Sequence, residues 1–161
     1  MELLCIIIGL LLLQRKGKVV DILRRVERFI DAQVTTHHEV VKELKSGYKS
    51  SCWMWYTFPQ IKGLGMSDIS KYYEIQSKYE LRQFVNDPYL AKNLRECINI
   101  LLKCPNNNPW DIFGPIDTNK LQSSMTLFRH TKKFKKLAQK VLDKFFCGDL
   151  DYQSEHIIKT M

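Results

Sequence analysis

Residues 52–65 read CWMWYTFPQIKGLG, and this aromatic stretch with its following turn decides how the whole chain is interpreted. Four aromatic side chains and one methionine fall within six residues. Because an aromatic side chain buries roughly 150 to 250 Å², most of the stretch is predicted to lie in a core. Pro59 disfavours the α conformation in the residue before it, so a helix through the tryptophans is predicted to end near Thr57. Gly63 and Gly65 suit a turn beyond it.

Apolar residues recur at helical spacing on both sides of this stretch. Before it, residues 19–33 are amphipathic, and Thr36 with Glu39 forms a capping box for a second helix that Gly47 would end. After it, the predicted N-caps are Ser67, Ser77, Asp87, Asn108, Asp117 and Asp151, and the expected breaks are Pro105 and Gly114-Pro115. Residues 133–146 form the clearest helical pattern. Since no stretch alternates with the period of a half-buried strand, we predict an all-α protein of about seven or eight short helices.

The length and composition indicate one soluble domain. The chain has 161 residues, of which 45% are hydrophobic and 26% charged, close to the averages for globular proteins. We predict a single helical domain over residues 19–161, preceded by an apolar extension with a basic flank over residues 1–18. The five cysteines are widely spaced without a C-x-x-C pair, which predicts reduced thiols and a cytoplasmic location.

The extension contains an unbroken apolar run, LLCIIIGLLLL, at residues 3–13. As a helix it would span about 16 Å of a hydrocarbon core roughly 30 Å thick, which is short for a transmembrane segment. Glu2 before the run and basic residues after it also depart from a cleaved signal peptide. Membrane tethering through this run, packing on the domain, self-association and an incidental extension beyond the functional start all stay open.

Five motifs in a fixed order carry a family resemblance. They are RFIDAQ (28–33), ELKSGYKSSCWMWYTFPQIKGLGMS (43–67), DPYLAKNLREC (87–97), IFGPIDTNKLQSSMTLF (112–128) and VLDKFFCGDLD (141–151). Over residues 28–158 the chain resembles the family known as domain of unknown function 1810. The resemblance implies an all-helical fold of the αα-superhelix type, and the family's own activity is not established. Where the family pattern usually has a histidine before WMW, this chain has Cys52, so any role of that histidine as a base or metal ligand is in doubt here.

The leading functional hypothesis is a binding module that recognises a small ligand or a partner segment. The pocket is expected between residues 53–65 and the helix over residues 118–128, because both carry more polar and aromatic groups than a core requires. Candidate ligand-binding residues are Trp53, Trp55, Gln60, Gly63, Gly65, Lys120, Ser123, Ser124, Thr126 and Gln33. Trp53 and Trp55 cannot share one helical face, so at most one is expected to be a ligand platform. Pure core packing of the aromatics, and hydroxyls bonded back to their own helix, stay open as alternatives.

Two further functions are open. One is an enzyme acting on a nucleotide-like or phosphorylated substrate, for which no catalytic residue can be nominated. The other is a nucleic-acid or membrane-surface binder that uses the formal charge of +8, with Lys132, Lys133, Lys136 and Lys140 as its weakly indicated contacts, although a solvated helix face is the default interpretation of these lysines. The four histidines show no metal-ligand spacing, and no glycine-rich nucleotide motif is present, so we predict neither a metal nor a cofactor.

Overall fold

Eight helices make up the part of the chain that the structure, a computed structural model, describes: residues 26–161. They are α1 (Glu27–Ser46), α2 (Met54–Thr57), α3 (Asp68–Tyr72), α4 (Lys78–Asn86), α5 (Pro88–Lys103), α6 (Pro109–Arg129), α7 (Lys135–Phe146) and α8 (Tyr152–Thr160). Within these residues the only β pairing is one isolated parallel bridge between Ile61 and Ile75. The all-α prediction is therefore confirmed. The extension over residues 1–18 and the start of the first predicted helix lie outside the described residues.

Local turn chemistry sets most helix boundaries. Five of the predicted N-caps accept a hydrogen bond from a first-turn amide: Ser67, Ser77, Asp87, Asn108 and Asp151. At the other end of α1, Gly47 adopts the left-handed conformation with φ 73°, which glycine reaches without a Cβ clash. These boundaries follow the sequence because each cap depends only on residues within one turn.

Two predicted helix starts were wrong. The capping box at Thr36 does not begin a helix, since α1 runs continuously from residue 27 to 46 and the Thr36 hydroxyl donates to the Ala32 carbonyl at 2.6 Å. No glycine or proline interrupts this stretch, and burial of Val40 and Leu44 favours one long helix. Asp117 does not cap a helix either, because the break in α6 occurs earlier, at Gly114 with φ 72° and ψ 172°.

A row of buried phenylalanines joins three of the helices and the residue that precedes a fourth. Phe29 of α1 meets Phe84 of α4 with ring centroids 5.1 Å apart, and Phe84 lies 5.4 Å from Phe128 of α6. Phe128 in turn lies 6.0 Å from Phe134, the residue before α7. All four rings are fully buried, so they form the centre of the core that the remaining helices surround. No helix among residues 26–161 is long and apolar enough to cross a membrane.

Candidate functional site

The two tryptophans of the 52–65 stretch lie in different environments. Trp53 is 1% exposed, and its ring packs near Phe58 and Phe113 at centroid distances of 6.3 and 6.4 Å. Trp55, two residues further and inside α2, is only partly buried. The pair therefore points to different sides, as helical geometry predicts, and the outer of the two rings faces a cavity.

A buried carboxylate orients Trp53. Glu43 of α1 accepts a hydrogen bond from the Trp53 indole nitrogen at 2.7 Å, and from the backbone and hydroxyl groups of Ser50 and Ser51. Burial alone would raise the pKa of Glu43, but these hydrogen bonds outweigh it and lower the pKa to about 2. Glu43 therefore stays charged and fixes the loop that leads into α2, where Trp55 reaches the cavity.

A cavity of about 650 Å³ opens between the residues that follow Trp55 and the second part of α6. It is lined by five of the predicted ligand-binding residues: Trp55, Gln60, Gly65, Lys120 and Ser123. The sequence did not indicate the other lining residues, which are Leu64, Met66, Ser67, Ser70, Ile116, Asn119, Asp151 and Gln153. The volume falls within the range of roughly 300 to 1,000 Å³ that is usual for small-molecule sites.

Lys120 supplies the positive charge of this cavity, whose lining also includes the carboxylate of Asp151. Its ammonium nitrogen lies 5.0 Å from the Trp55 ring centroid and 2.8 Å from Asp117 Oδ1. The second oxygen of Asp117 accepts from Lys49 at 2.6 Å, and Lys49 lies 5.2 Å from the Trp53 ring. One carboxylate therefore holds two lysines, each against one of the two tryptophans. Burial raises the pKa of Asp117, but the hydrogen bonds to Lys120 and Lys49 outweigh it and lower that pKa overall.

The opposite wall is formed by the strand-like segment after α2. The Gln60 carbonyl accepts from the Ile75 amide at 2.8 Å, which anchors the backbone while the Gln60 side chain lines the cavity. Gly65 lies so close to α3 that a Cβ there would fall 2.6 Å from the Ser70 hydroxyl oxygen and 2.8 Å from a Glu74 carboxylate oxygen. Only glycine allows this approach, and the Gly65 amide donates to that Glu74 oxygen at 2.6 Å.

The structure places the remaining candidate residues away from this cavity. Trp53 is in the core, and Gln33 is buried between the Tyr56 carbonyl and Asn93, at 2.7 and 3.0 Å. Ser124 is fully buried. Thr126 is also fully buried, and its hydroxyl donates to the Gln122 carbonyl while accepting from the Asp151 amide. Gly63, with φ 97°, lines a smaller neighbouring depression with Tyr152 and Ile157.

The lining residues that sequence reasoning missed come from the turn after α2 and the start of α3, from α6, and from the first turn of α8 with its cap. Met66 and Ile116 are 91% and 72% exposed, although both are apolar and both stand at the cavity wall. Gln153 lies in the first turn of α8, about thirty residues beyond the rest of the α6 wall. An apolar residue next to a glycine turn was the signal available for Met66, whereas no local pattern marks Gln153.

The other predicted features lie outside the cavity. Cys52 is exposed and is not among the residues that line it. Lys132, Lys133, Lys136 and Lys140 are all exposed, whereas Lys144 turns inward and donates to the carbonyls of Leu101, Leu102 and Cys104 at the end of α5. Among the described residues, no group of three histidine, cysteine or acidic side chains is arranged to hold a metal ion.

The family model described as protein of unknown function (DUF1810) matches residues 23–158. The chain belongs to this family. A crystal structure of the conserved hypothetical protein Rv1873 from Mycobacterium tuberculosis is 33% identical to the chain and superposes with a TM-score of 0.81. The match covers 84% of this chain and 97% of that one. None of the curated proteins matches the chain.

The family match covers both the fold and the residues that line the cavity. The predicted resemblance over residues 28–158 is confirmed, and with it the all-helical fold. The DUF1810 match includes every residue that lines the 650 Å³ cavity. The family description assigns no specific function, so the chemistry of the cavity has to be argued from its own side chains.

Proposed function

We propose that this DUF1810 protein binds a small polar ligand in the cavity between Trp55 and Lys120. The observation that carries the proposal is the convergence of an aromatic ring, a lysine ammonium and the Gln60 side chain on one opening, brought together from two separate regions of the chain. Ligand pockets combine apolar surface with a few placed polar groups in this way. The exposed side chains of Met66 and Ile116 supply further apolar surface at the cavity wall.

The lining favours a ligand that carries a carbonyl, carboxylate or phosphate oxygen beside an apolar part. A lysine ammonium has three hydrogen-bond donors, and one on Lys120 is directed to Asp117. The remaining donors can therefore reach a ligand oxygen. Gln60 offers both a donor and an acceptor, and its side chain makes no hydrogen bond to another residue within 26–161, which leaves it available for the ligand's other polar groups.

Binding is better supported than proton transfer. The pKa of Asp117 is lowered by its two lysine partners, so this carboxylate holds its charge and positions Lys120. A general acid or base would need a pKa shifted towards neutrality. We therefore assign Asp117 a positioning role and keep catalysis outside the proposal.

We also propose a reducing compartment such as the cytoplasm as the protein's location. The four cysteines among the described residues are all free thiols: Cys52, Cys97, Cys104 and Cys147. Burial raises the pKa of Cys97, which makes that thiol unreactive. Free thiols at widely spaced positions are typical of proteins kept in reducing surroundings.

Saturation-transfer NMR of the full chain with a panel of nucleotides, nucleosides, sugar acids and amino acids tests the binding proposal. We expect at least one compound class to give a signal that is lost in Trp55→Ala and Gln60→Ala. Trp110→Ala is the matched control, because Trp110 is 61% exposed at the start of α6 and does not line the cavity. Signals that persist in both cavity variants, or no signal from any class, would exclude this site.

A further inference from the structure

A second cavity, of about 540 Å³, lies between α4, α8 and the turn at residues 130–133. Three apolar side chains that are at most 5% exposed form its inner surface: Leu81, Val85 and Ile158. None of its lining residues is shared with the 650 Å³ cavity that Trp55 and Lys120 line. The two cavities are thus separate sites with different linings.

The mouth of this second cavity is strongly cationic. The basic residues that line it are Lys78, Arg82, His130, Lys132, Lys133 and Lys159, and none of the lining residues is acidic. Glu155, just outside, pairs with two of them, at 2.7 Å from His130 and 3.3 Å from Lys159. The other four basic residues form no ion pair with any residue within 26–161. Clustered like charges repel one another, so an anion at their centre would be stabilised.

Local hydrogen bonds fix the backbone segments that carry several of these basic residues. The Thr131 hydroxyl donates to the Phe128 carbonyl at 2.8 Å and accepts from the Phe134 amide at 3.3 Å, which fixes the turn that carries Lys132 and Lys133. Lys78 occupies the first position of α4, after the cap formed by Ser77. A cation at the positive end of a helix is unfavourable by itself, and a bound anion would offset that repulsion.

We propose that this cavity binds a free anionic amphiphile, a small molecule with an aliphatic or aromatic body and a carboxylate or phosphate head. The body would contact Leu81, Val85 and Ile158, and the head would be held by Arg82 and the two lysines of the 130–133 turn. Charge complementarity and the apolar inner surface together support this class of ligand. Nucleic acid fits less well, because no Trp, Tyr or Phe lines the cavity and the ring of His130 is already bonded to Glu155 at 2.7 Å.

Isothermal titration of the full chain with decyl phosphate below its micelle concentration tests the proposal. We expect saturable binding that weakens by about tenfold or more in the double variant Lys132→Gln/Lys133→Gln, as loss of charge-assisted hydrogen bonds predicts. Asn86→Trp, at an exposed position of the cavity wall, should block the body while leaving every cation in place. The control Lys136→Gln/Lys140→Gln removes the same charge outside the cavity and should bind normally.

Four results would overturn it. Equal binding of decyltrimethylammonium would show unspecific hydrophobic contact, and equal binding of inorganic phosphate would show a simple anion site without a role for the apolar surface. Binding to phosphatidylglycerol vesicles but not to monomeric decyl phosphate would indicate a membrane surface instead. Salt-sensitive binding of single-stranded RNA that is lost in the same double variant, without decyl phosphate binding, would indicate a nucleic-acid surface.

Discussion

The ammonium nitrogen of Lys120 lies 5.0 Å from the centre of the Trp55 ring, with Asp117 holding the lysine from the other side at 2.8 Å. These residues come from two parts of the chain more than sixty positions apart. Asp117 also pairs with Lys49, which lies against Trp53. Asp117 thereby links the buried Trp53 to Trp55 at the cavity. The ion pairs that position the cavity residues are thus continuous with the packing around Trp53 in the core.

Trp53 and Trp55 should differ sharply when each is changed to alanine. Trp53→Ala removes a fully buried ring and the donor to Glu43, so it should lower the free energy of unfolding by about 3 to 5 kcal/mol. Trp55→Ala should lower it by about 1 kcal/mol and abolish ligand binding. Urea denaturation combined with the NMR screen measures both effects. Similar losses of stability in the two variants would contradict the different environments assigned to the rings.

Glu43 should make the protein sensitive to acid. Its folded-state pKa of about 2 lies below its ordinary value of 4.5, so its contribution is complete above about pH 4.5 and is lost as the pH falls towards 2. The difference corresponds to about 3 kcal/mol. Glu43→Gln should therefore be strongly destabilised at pH 7, and the difference between its unfolding free energy and that of the unchanged protein should shrink near pH 2. Urea denaturation between those pH values measures the trend.

Glu39→Gln is the matched control for that experiment, since Glu39 lies on the same helix with its side chain 39% exposed, and its only described ion pair is with Lys42 at 3.7 Å. It should change the unfolding free energy by less than about 0.5 kcal/mol. A deficit for Glu43→Gln that is independent of pH would mean that the carboxylate charge is not what the serines and Trp53 recognise.

Lys144 should stabilise the fold although it belongs to a lysine-rich helix. Its ammonium donates to three carbonyls at the end of α5, those of Leu101, Leu102 and Cys104, where a helix leaves its last carbonyls short of donors. The Leu101 carbonyl also accepts from the Cys104 amide at 3.2 Å. Lys144→Met should cost about 2 kcal/mol in urea denaturation. Lys140→Met, at an exposed position one turn earlier, should be nearly neutral. Equal effects would show that Lys144 is only another solvated lysine.

Gln33 should prove structural. Its side chain donates to the Tyr56 carbonyl and accepts from Asn93 in the interior, so Gln33→Ala leaves both partners without a hydrogen bond and should cost about 2 kcal/mol. Val34→Ala, at the next and 63% exposed position, should have little effect. Ligand binding at a temperature where both variants are folded should match the unchanged protein. A selective loss of binding in Gln33→Ala would assign this residue to the site.

Local rules explain which parts of this structure could be predicted. The caps at Ser77, Asp87 and Asp151 could be predicted because each depends only on an amide in the first turn of its own helix. Helical periodicity predicted that the two tryptophans point to different sides. The capping box at Thr36 failed because core burial along α1 outweighs a signal of about 1 kcal/mol. Which tryptophan is inside depends on Glu43, ten residues away in α1.

The residues that the start of α8 contributes to the cavity could not be predicted from the sequence, because their position also depends on long-range packing. Gln60 and Lys120 could be nominated because polar groups beside turns and aromatic runs often form sites. Asp151 and Gln153 reach the cavity only through the packing of α8 on α6, and no spacing in the sequence encodes that contact. Ser123 and Ser124 carry the same hydroxyl and are both buried, but only Ser123 lines the cavity, because the next step around the helix points Ser124 into the core.

Soaking crystals of the full chain with a fragment library of polar carbonyl, carboxylate and phosphate compounds tests the central claim most directly. The account predicts that fragments occupy the cavity against Trp55, with an oxygen within hydrogen-bond distance of Lys120 and a polar atom at Gln60. Trp55→Ala crystals, soaked in parallel, should lose them. Fragments that gather only at other surfaces, or that bind the cavity unchanged without the Trp55 ring, would contradict it.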